Sequence, residues 1–369
     1  MKFTCEKSAL SEAVMSAMRA VSLKSTIEAL EGILVAAENG AVSVTGYDLE
    51  SGICTTIEAA VEQEGRVVLG ARTLSEMVRK LPEGNVSVYT DDKLVTQIRC
   101  GLSESSLMGI DAGEYPDLPQ VQGKATLKLS FEALRNIVRR TAFAVAVTDA
   151  RPILTGVLLT ARGGRITAVA VDGFRLGLAR EKLLGGPAEQ VSVVVPGKSM
   201  SEIGKIIRET DEELTLDLSD KHLRMSRGNV TFVCRLLEGD FINYESVIPA
   251  ETSTETVVDT ALLIDSIERA SVVINEKMRS PIILRFEETG VGVSCVSSLG
   301  KVIDRVHAVT KGPELELGVN NRYILDALKA CETQGVRVCM QSSLSPMMIL
   351  PLEGDDFLFI VVPMRYKTE

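Results

Sequence analysis

Hydrophobic and polar positions along this chain spell out one order of elements three times. Each copy opens on a short alternating strand, carried by Phe3 and Cys5, then by Leu127 and Leu129, then by Val257. A helix with a single apolar face follows. Leu10, Val14 and Met18 recur four residues apart; Leu134, Ile137, Val138 and Thr141 share one face, as do Leu263, Ile267 and Ala270. Hairpin signals come next: Asn39-Gly40 between 33–37 and 41–45, Gly163-Gly164 inside 157–171, and Thr289-Gly290 between 282–286 and 291–296. A further strand leads through a turn into a second helix, at 74–81, 200–207 and 323–329, with Ser199 and Asn320 or Asn321 as candidate N-caps. Strands at 86–89, 214–218 and 336–340 belong to the last group in each copy.

The spacing of the copies is regular. The basic residues that open the run before each hairpin, Lys24, Arg151 and Arg279, stand 127 and 128 residues apart, and the second helices are offset by 126 and 123. A repeat of that length is a whole domain rather than a solenoid turn. The expected fold class is therefore α+β: three repeated domains, 1–122, 123–250 and 251–369, each with two helices packed on antiparallel sheets. Gly113-Glu-Tyr-Pro-Asp-Leu-Pro119 and Gly239-Asp-Phe-Ile-Asn-Tyr-Glu-Ser-Val-Ile-Pro249 close the first two copies, with linkers near 120–126 and 250–256. The third runs instead through the apolar segment 357–366, which must dock somewhere. It is either a final edge strand or the wall of an apolar pocket for a partner peptide.

Composition narrows the function. Apolar residues make up 45% of the 369, yet aromatics are 4% and Trp is absent, so the cores are aliphatic. Seven scattered cysteines with no Cys-x-x-Cys pair read as reduced, buried thiols in a cytosolic protein. The first residues do not form a signal-peptide pattern, and no run reaches the length of a membrane span, so the expected location is cytoplasmic. His222 and His307 have no Cys or carboxylate at ligand spacing, and Gly-x-Ser-x-Gly, P-loop and Gly-x-Gly-x-x-Gly patterns are missing. Asp91-Asp92, Asp355-Asp356 and Asp172-Gly173 read as turns. The expectation is no enzyme, no metal and no cofactor.

A net charge of −10 argues against a polyanion partner only if the cations are scattered. They are not. Arg19, Arg72, Arg79 and Lys80 lie on the helices of copy one, Arg135, Arg139, Arg140, Lys198, Lys205 and Arg208 on those of copy two, and Arg269, Arg322 and Lys329 on those of copy three. Any one of these is most simply a solvated helix face. Recurrence on corresponding helices points to a phosphate track, binding in a salt-sensitive and sequence-indifferent way.

Four stretches carry a resemblance that spans the whole chain: Val171-Asp-Gly-Phe-Arg-Leu176, the 239–249 segment, Asn275-Glu-Lys277 before Arg279, and Val362-Pro-Met-Arg365. With the triple repeat, they make the chain similar to the bacterial DNA polymerase III beta subunits, the replicative sliding clamps. The resemblance implies a head-to-tail homodimer of three-domain protomers, a ring around duplex DNA with helices lining the hole and sheets outside. It implies that Lys24, Arg151 and Arg279 approach DNA alongside the helix cations. It further implies an apolar cleft between the second and third domains, where the polymerase III catalytic subunit, the clamp loader, other polymerases and repair proteins insert linear motifs. The matching cleft positions are Leu154, Val171, Gly173, Phe174, Arg175, Leu176, Ile242, Val247, Tyr323, Leu344, Pro346, Val362, Pro363, Met364 and Arg365. Phe174 stands where the family commonly has His, and Ile242 where it often has Pro. The implied dimer contact sets Leu107 against Val272 and Val273 of the other protomer, with Ser105 in place of a usual aromatic. A clamp-like peptide-binding scaffold, or a specialised second clamp with a narrower partner set, is the alternative expectation.

Overall fold

The computed structural model describes residues 1–22, 24–148, 150–207, 213–274 and 280–366. They contain six α-helices: α1 (Lys7–Ala17), α2 (Ala71–Lys80), α3 (Phe131–Ala142), α4 (Gly197–Ile206), α5 (Thr260–Ser271) and α6 (Asn321–Cys331). Every strand pair is antiparallel. The chain divides into two compact units. The first holds Met1–Phe131, Leu184–Gly186 and Lys205–Leu236; the second holds Glu132–Leu183, Pro187–Gly204 and Leu237–Glu369. The middle repeat thus contributes to both.

The strands of the first unit form a thirteen-stranded sheet. Two of its hydrophobic clusters lie on different faces of alternating strands. Phe3, Leu10, Val14, Ile33, Val35, Val67, Leu69, Leu74 and Val78 form the larger one, under α1 and α2. Burying each such aliphatic side chain contributes about 1.5–3 kcal/mol. Leu30, Leu34, Tyr47, Val68 and Tyr115 form the smaller one. Pro82, two residues past α2, keeps that helix from continuing.

The second unit repeats the plan with a twelve-stranded sheet. Leu263, Ile267, Ile282, Leu284, Phe286, Leu317, Ile324, Leu328, Phe357 and Phe359 pack under α5 and α6. The opposite cluster gathers Leu154, Val171, Leu176, Leu178, Leu358 and Ile360. One connection recurs in both units: the last strand of a copy pairs with a strand of the copy before it. Val230–Arg235 joins Ser51–Glu58 from Val230↔Thr55 onward, and Phe357–Val361 joins Arg175–Lys182 from Arg175↔Val361 onward.

Several sequence expectations hold locally. Asn39 and Gly40, at φ 53° and 77°, and Gly163 and Gly164, at 57° and 77°, make two-residue hairpin turns in the left-handed region. The Asn320 side chain caps α6 by accepting from the amides of Arg322 and Tyr323.

Others are corrected. Ser199 is not a cap, because α4 already begins at Gly197 and Ser199 is buried within it. The third hairpin turns at Glu288-Thr289, one residue early, since Glu287 pairs with Gly290. Gly290 is needed for closeness: a Cβ there would lie 2.8 Å from Arg305 Nε and 3.0 Å from Val306 O. Val257 faces outward, and its strand buries Thr254, Thr256 and Val258 instead. The hydroxyls that make this burial tolerable are paired, Thr254 to Pro313 O and Thr256 with Thr310. The strand Phe357–Val361 is not at an edge; it lies between Arg175–Lys182 and Met347–Pro351.

Candidate functional site

The proposed cleft positions all fall in the second unit, and the structure gathers most of them into a floor and a rim. The floor is the outer cluster of the sheet. Leu154, Val171 and Leu176 are buried there, beside Leu358 and Ile360 of the central strand, and Ile242 packs half-buried against them. Alternation explains the split along the Phe357–Val361 strand: Leu358 and Ile360 face this cluster, while Phe357, Phe359 and Val361 face the helices.

The rim is built by the turn that follows Val171. Asp172 Oδ1 accepts from the amides of Phe174 at 2.9 Å and Arg175 at 3.0 Å, and Gly173 supplies the φ of 88° that closes the turn. The Phe174 ring is thereby held out, 59% exposed, and stacks on Tyr323 at 6.2 Å between centroids and 26° between planes. Beneath it Arg175 is fixed on several sides. It donates to Asp172 Oδ2 at 2.9 Å and to Asp326 Oδ2 at 2.5 Å, and its guanidinium lies 4.5 Å from the Tyr323 centroid.

A groove of about 780 Å³ runs along this rim, lined by Phe174, Ser271, Ile274, Ser280, Asn320, Asn321, Arg322, Tyr323, Val362, Pro363, Met364 and Arg365. Val362 N donates to Phe174 O at 2.9 Å, tying its two walls. Leu344 and Val247 are exposed, and with Pro346 they lie outside both the floor cluster and this lining. Six lining residues are not among the expected cleft positions: Ser271, Ile274, Ser280, Asn320, Asn321 and Arg322, the last expected at DNA instead. Asn320 is legible only as a helix cap; Ser271 ends α5 and Ile274 lies three residues beyond it. Ile360 was likewise missed, although its alternation with Phe359 marked it as facing Leu176.

The candidate DNA contacts divide. In the first unit Lys24, Arg72, Arg79, Lys80 and Lys205 are exposed. Lys205 also lines, with Lys7, Arg19 and Arg227, a groove of about 590 Å³ beside α1. In the second unit Arg135, Arg151, Lys198 and Arg322 are exposed. Two residues depart from expectation. Arg140 is buried, paired with Glu181 Oε1 at 3.1 Å and 5.1 Å from the Phe357 centroid. It lies three residues past Ile137, on the apolar face of α3, so its charge faces the interior and not a phosphate. Burial pushes the Glu181 carboxyl above its ordinary pKa, against the lowering effects of Asn136 and Arg140. Arg139 is half-buried and ion-paired with Glu332, which ends α6 in the left-handed conformation at φ 47°. Arg279 and the Asn275–Lys277 motif lie outside the described residues.

Two strand edges stand ready for association. Ser103–Ile110 pairs with Val95–Cys100 along Ser103–Met108, but with Gly65–Gly70 only at Gly109 and Ile110. Its second edge from Ser103 to Met108 has no strand partner among the described residues. Leu107 packs half-buried on the core there, and Met108 is 72% exposed. In the second unit Gly300–Lys311 pairs with Gly290–Ser297, and on its other side with Thr254–Asp259 only from Ala308 onward. Val272 and Ile303 are exposed and Val273 half-buried in this unit. Among the described residues no three His, Cys, Asp or Glu side chains gather as a metal site, and no helix is long and apolar enough to cross a membrane.

Comparison with known proteins accounts for the whole length. Models of the DNA polymerase III beta subunit match in order: the N-terminal domain at 1–119, the central domain at 128–243 and the C-terminal domain at 245–365. The beta sliding clamp of Bacillus subtilis is 34% identical, over 99% of this chain and 100% of its own. The crystal structure of the DNA polymerase sliding clamp from Bacillus subtilis superposes with a TM-score of 0.96 at 33% identity, covering 100% of both chains. A sliding clamp from Pseudomonas aeruginosa, solved bound to griselimycin, gives a TM-score of 0.94 at 27% identity, over 99% of this chain and 100% of that one.

Proposed function

Because the chain belongs to the DNA polymerase III beta subunit family, the DNA sliding clamps, we propose that two copies close head to tail into a ring around duplex DNA and tether partner proteins to it. The chain is read as three clamp domains, 1–122, 123–250 and 251–369, acting in the cytoplasm without catalysis.

The observation that carries the ring is a pair of strand edges without a strand partner among the described residues, Ser103–Met108 and Gly300–His307. Exposed edges are a liability that folded proteins cover or blunt, and head-to-tail pairing of one edge with the other edge of a second copy covers both. Leu107 of one protomer then meets Val272 and Val273 of its partner.

Within the ring, Lys24, Arg72, Arg79, Lys80, Arg135, Arg151, Lys198, Lys205, Arg279 and Arg322 meet phosphates. These contacts are weak individually and carry no base readout, so the ring slides while topology retains it. Arg139 and Arg140 are assigned instead to bracing the second unit.

Partners dock in the groove of the second unit. An extended segment lays apolar side chains between Phe174, Tyr323 and Met364, over the floor of Leu154, Val171, Leu176 and Ile242. The polymerase III catalytic subunit, the clamp loader, other polymerases and repair proteins are the partners read from family membership. The Phe174 ring on Tyr323 favours a second reading, a specialised clamp with a narrower partner set, because it adds an apolar cover to the rim.

Light scattering across a dilution series tests the ring. A mass of about twice 39.8 kDa is expected, and a monomer at every concentration would remove the head-to-tail contact.

A further inference from the structure

The strand Phe357–Val361 leaves the sheet at Val362, yet the chain does not wander. Met364 N donates to Gly318 O at 2.7 Å, and Tyr366 OH donates to Glu316 Oε1 at 2.9 Å. Met364 lies opposite Gly318 in an antiparallel bridge, and Tyr366 falls opposite Glu316 when that register is continued by two residues. The segment 362–366 is therefore laid along the edge of Leu315–Val319, the last strand of the twelve-stranded sheet. The other side of that strand is paired with Ile282–Glu287. The same segment walls the groove, through Val362, Pro363, Met364 and Arg365.

Gly318 fits the ring that covers it. A Cβ at this position would lie 2.7 Å from Tyr366 Cδ1 and 3.2 Å from Met364 O. Its φ is not in the left-handed region, so glycine serves here for closeness alone. A methyl group there would force the Tyr366 ring to shift and would crowd the Met364 carbonyl.

We propose that Gly318, Glu316 and Tyr366 form a latch that holds the 362–366 strap against the sheet edge, making them positioning residues for the partner groove although none of the three lines it. The latch acts through Met364 and Arg365, which move with Tyr366. It rests on the groove being the partner site.

The test uses the full chain and the polymerase III catalytic subunit of the same host, with affinity measured by surface plasmon resonance and amide exchange measured at Met364. Tyr366→Ala and Gly318→Ala are expected to weaken binding about tenfold and to speed Met364 exchange by a similar factor, the scale of losing one or two ordered contacts. Tyr366→Phe keeps the ring on Gly318 and is expected to recover most of the affinity. Tyr323→Ala, inside the groove, separates the two ideas. If it weakens binding while Tyr366→Ala and Gly318→Ala bind like the parent, the latch is wrong and the groove stands. If all three leave binding unchanged, the groove reading fails and the latch fails with it.

Discussion

The guanidinium of Arg175 lies 4.5 Å from the centroid of the Tyr323 ring, joining the turn after Val171 to the first turn of α6. Two carboxylates hold it there, Asp172 at 2.9 Å and Asp326 at 2.5 Å. The groove rim is thus set by an ion-pair network under an aromatic stack, rather than by backbone pairing alone. Arg175→Ala would leave Asp172, itself mostly shielded, without its cation. A loss of about 2–3 kcal/mol in urea unfolding is expected, together with weaker partner binding. Arg175→Lys should restore little, because a point charge cannot serve two carboxylates and a ring face together.

Phe174 makes its contribution from the solvent side. Its stacked contact with Tyr323 lies within the chain and is of a kind worth about 0.5–1.5 kcal/mol, so Phe174→Ala should cost at most about that in unfolding, while removal of an apolar wall of the groove should weaken polymerase binding by more, roughly thirtyfold. An equal loss of stability and affinity would show that the ring is part of the fold and not of the docking surface.

The basic residues separate into two behaviours. Arg79→Ala and Lys198→Ala should each flatten the slope of log affinity against log salt by about 0.9 in DNA binding, with stability unchanged. Arg140→Ala should do the reverse. It strands Glu181 in a mostly buried site and costs about 3 kcal/mol in unfolding, with little change in the salt slope. A large salt-slope change in Arg140→Ala would contradict its burial.

The cysteines predict a pH dependence. Six of the seven are buried and Cys54 is half-buried. Burial pushes Cys5 and Cys339 up to about 11 and Cys331 up to about 12, from an ordinary 9.0. In the unfolded chain these thiols lose protons near 9 while the folded chain keeps them, so the folded state binds more protons and stability falls as pH rises above 9. At pH 8 a thiol reagent should label at most Cys54 in the native protein and all seven in denaturant. Rapid native labelling of several thiols would contradict the packing of both cores.

Much of this arrangement was legible because its signals are local. The repeat, the helix faces around Leu10, Leu134 and Leu263, and the Asn39-Gly40 and Gly163-Gly164 turns depend on neighbours within a few residues. What was not legible depends on distant partners. Val257 is apolar and reads as the inward position of its strand, but Thr254 and Thr256 find carbonyl and hydroxyl partners 59 and 54 residues away and take the buried face. Arg140 reads from its neighbours as a surface cation, and only the fold brings Glu181 and Phe357 to it. The cleft positions came from family resemblance. Folding buries Leu154 and Leu176 in the outer cluster and sets Tyr323 and the 362–365 segment in the groove lining, while Leu344 and Pro346 belong to neither set.

Encirclement is tested most directly by topology. The chain is loaded by the host's clamp loader onto a nicked circular plasmid, isolated by gel filtration in salt that disrupts phosphate contacts, and the plasmid is then cut once. The account predicts that the protein stays with the circle and is lost when the DNA becomes linear, because it can slide off the ends. Equal retention on circular and linear DNA would contradict it, and would mean that contacts rather than a closed ring hold this protein to DNA.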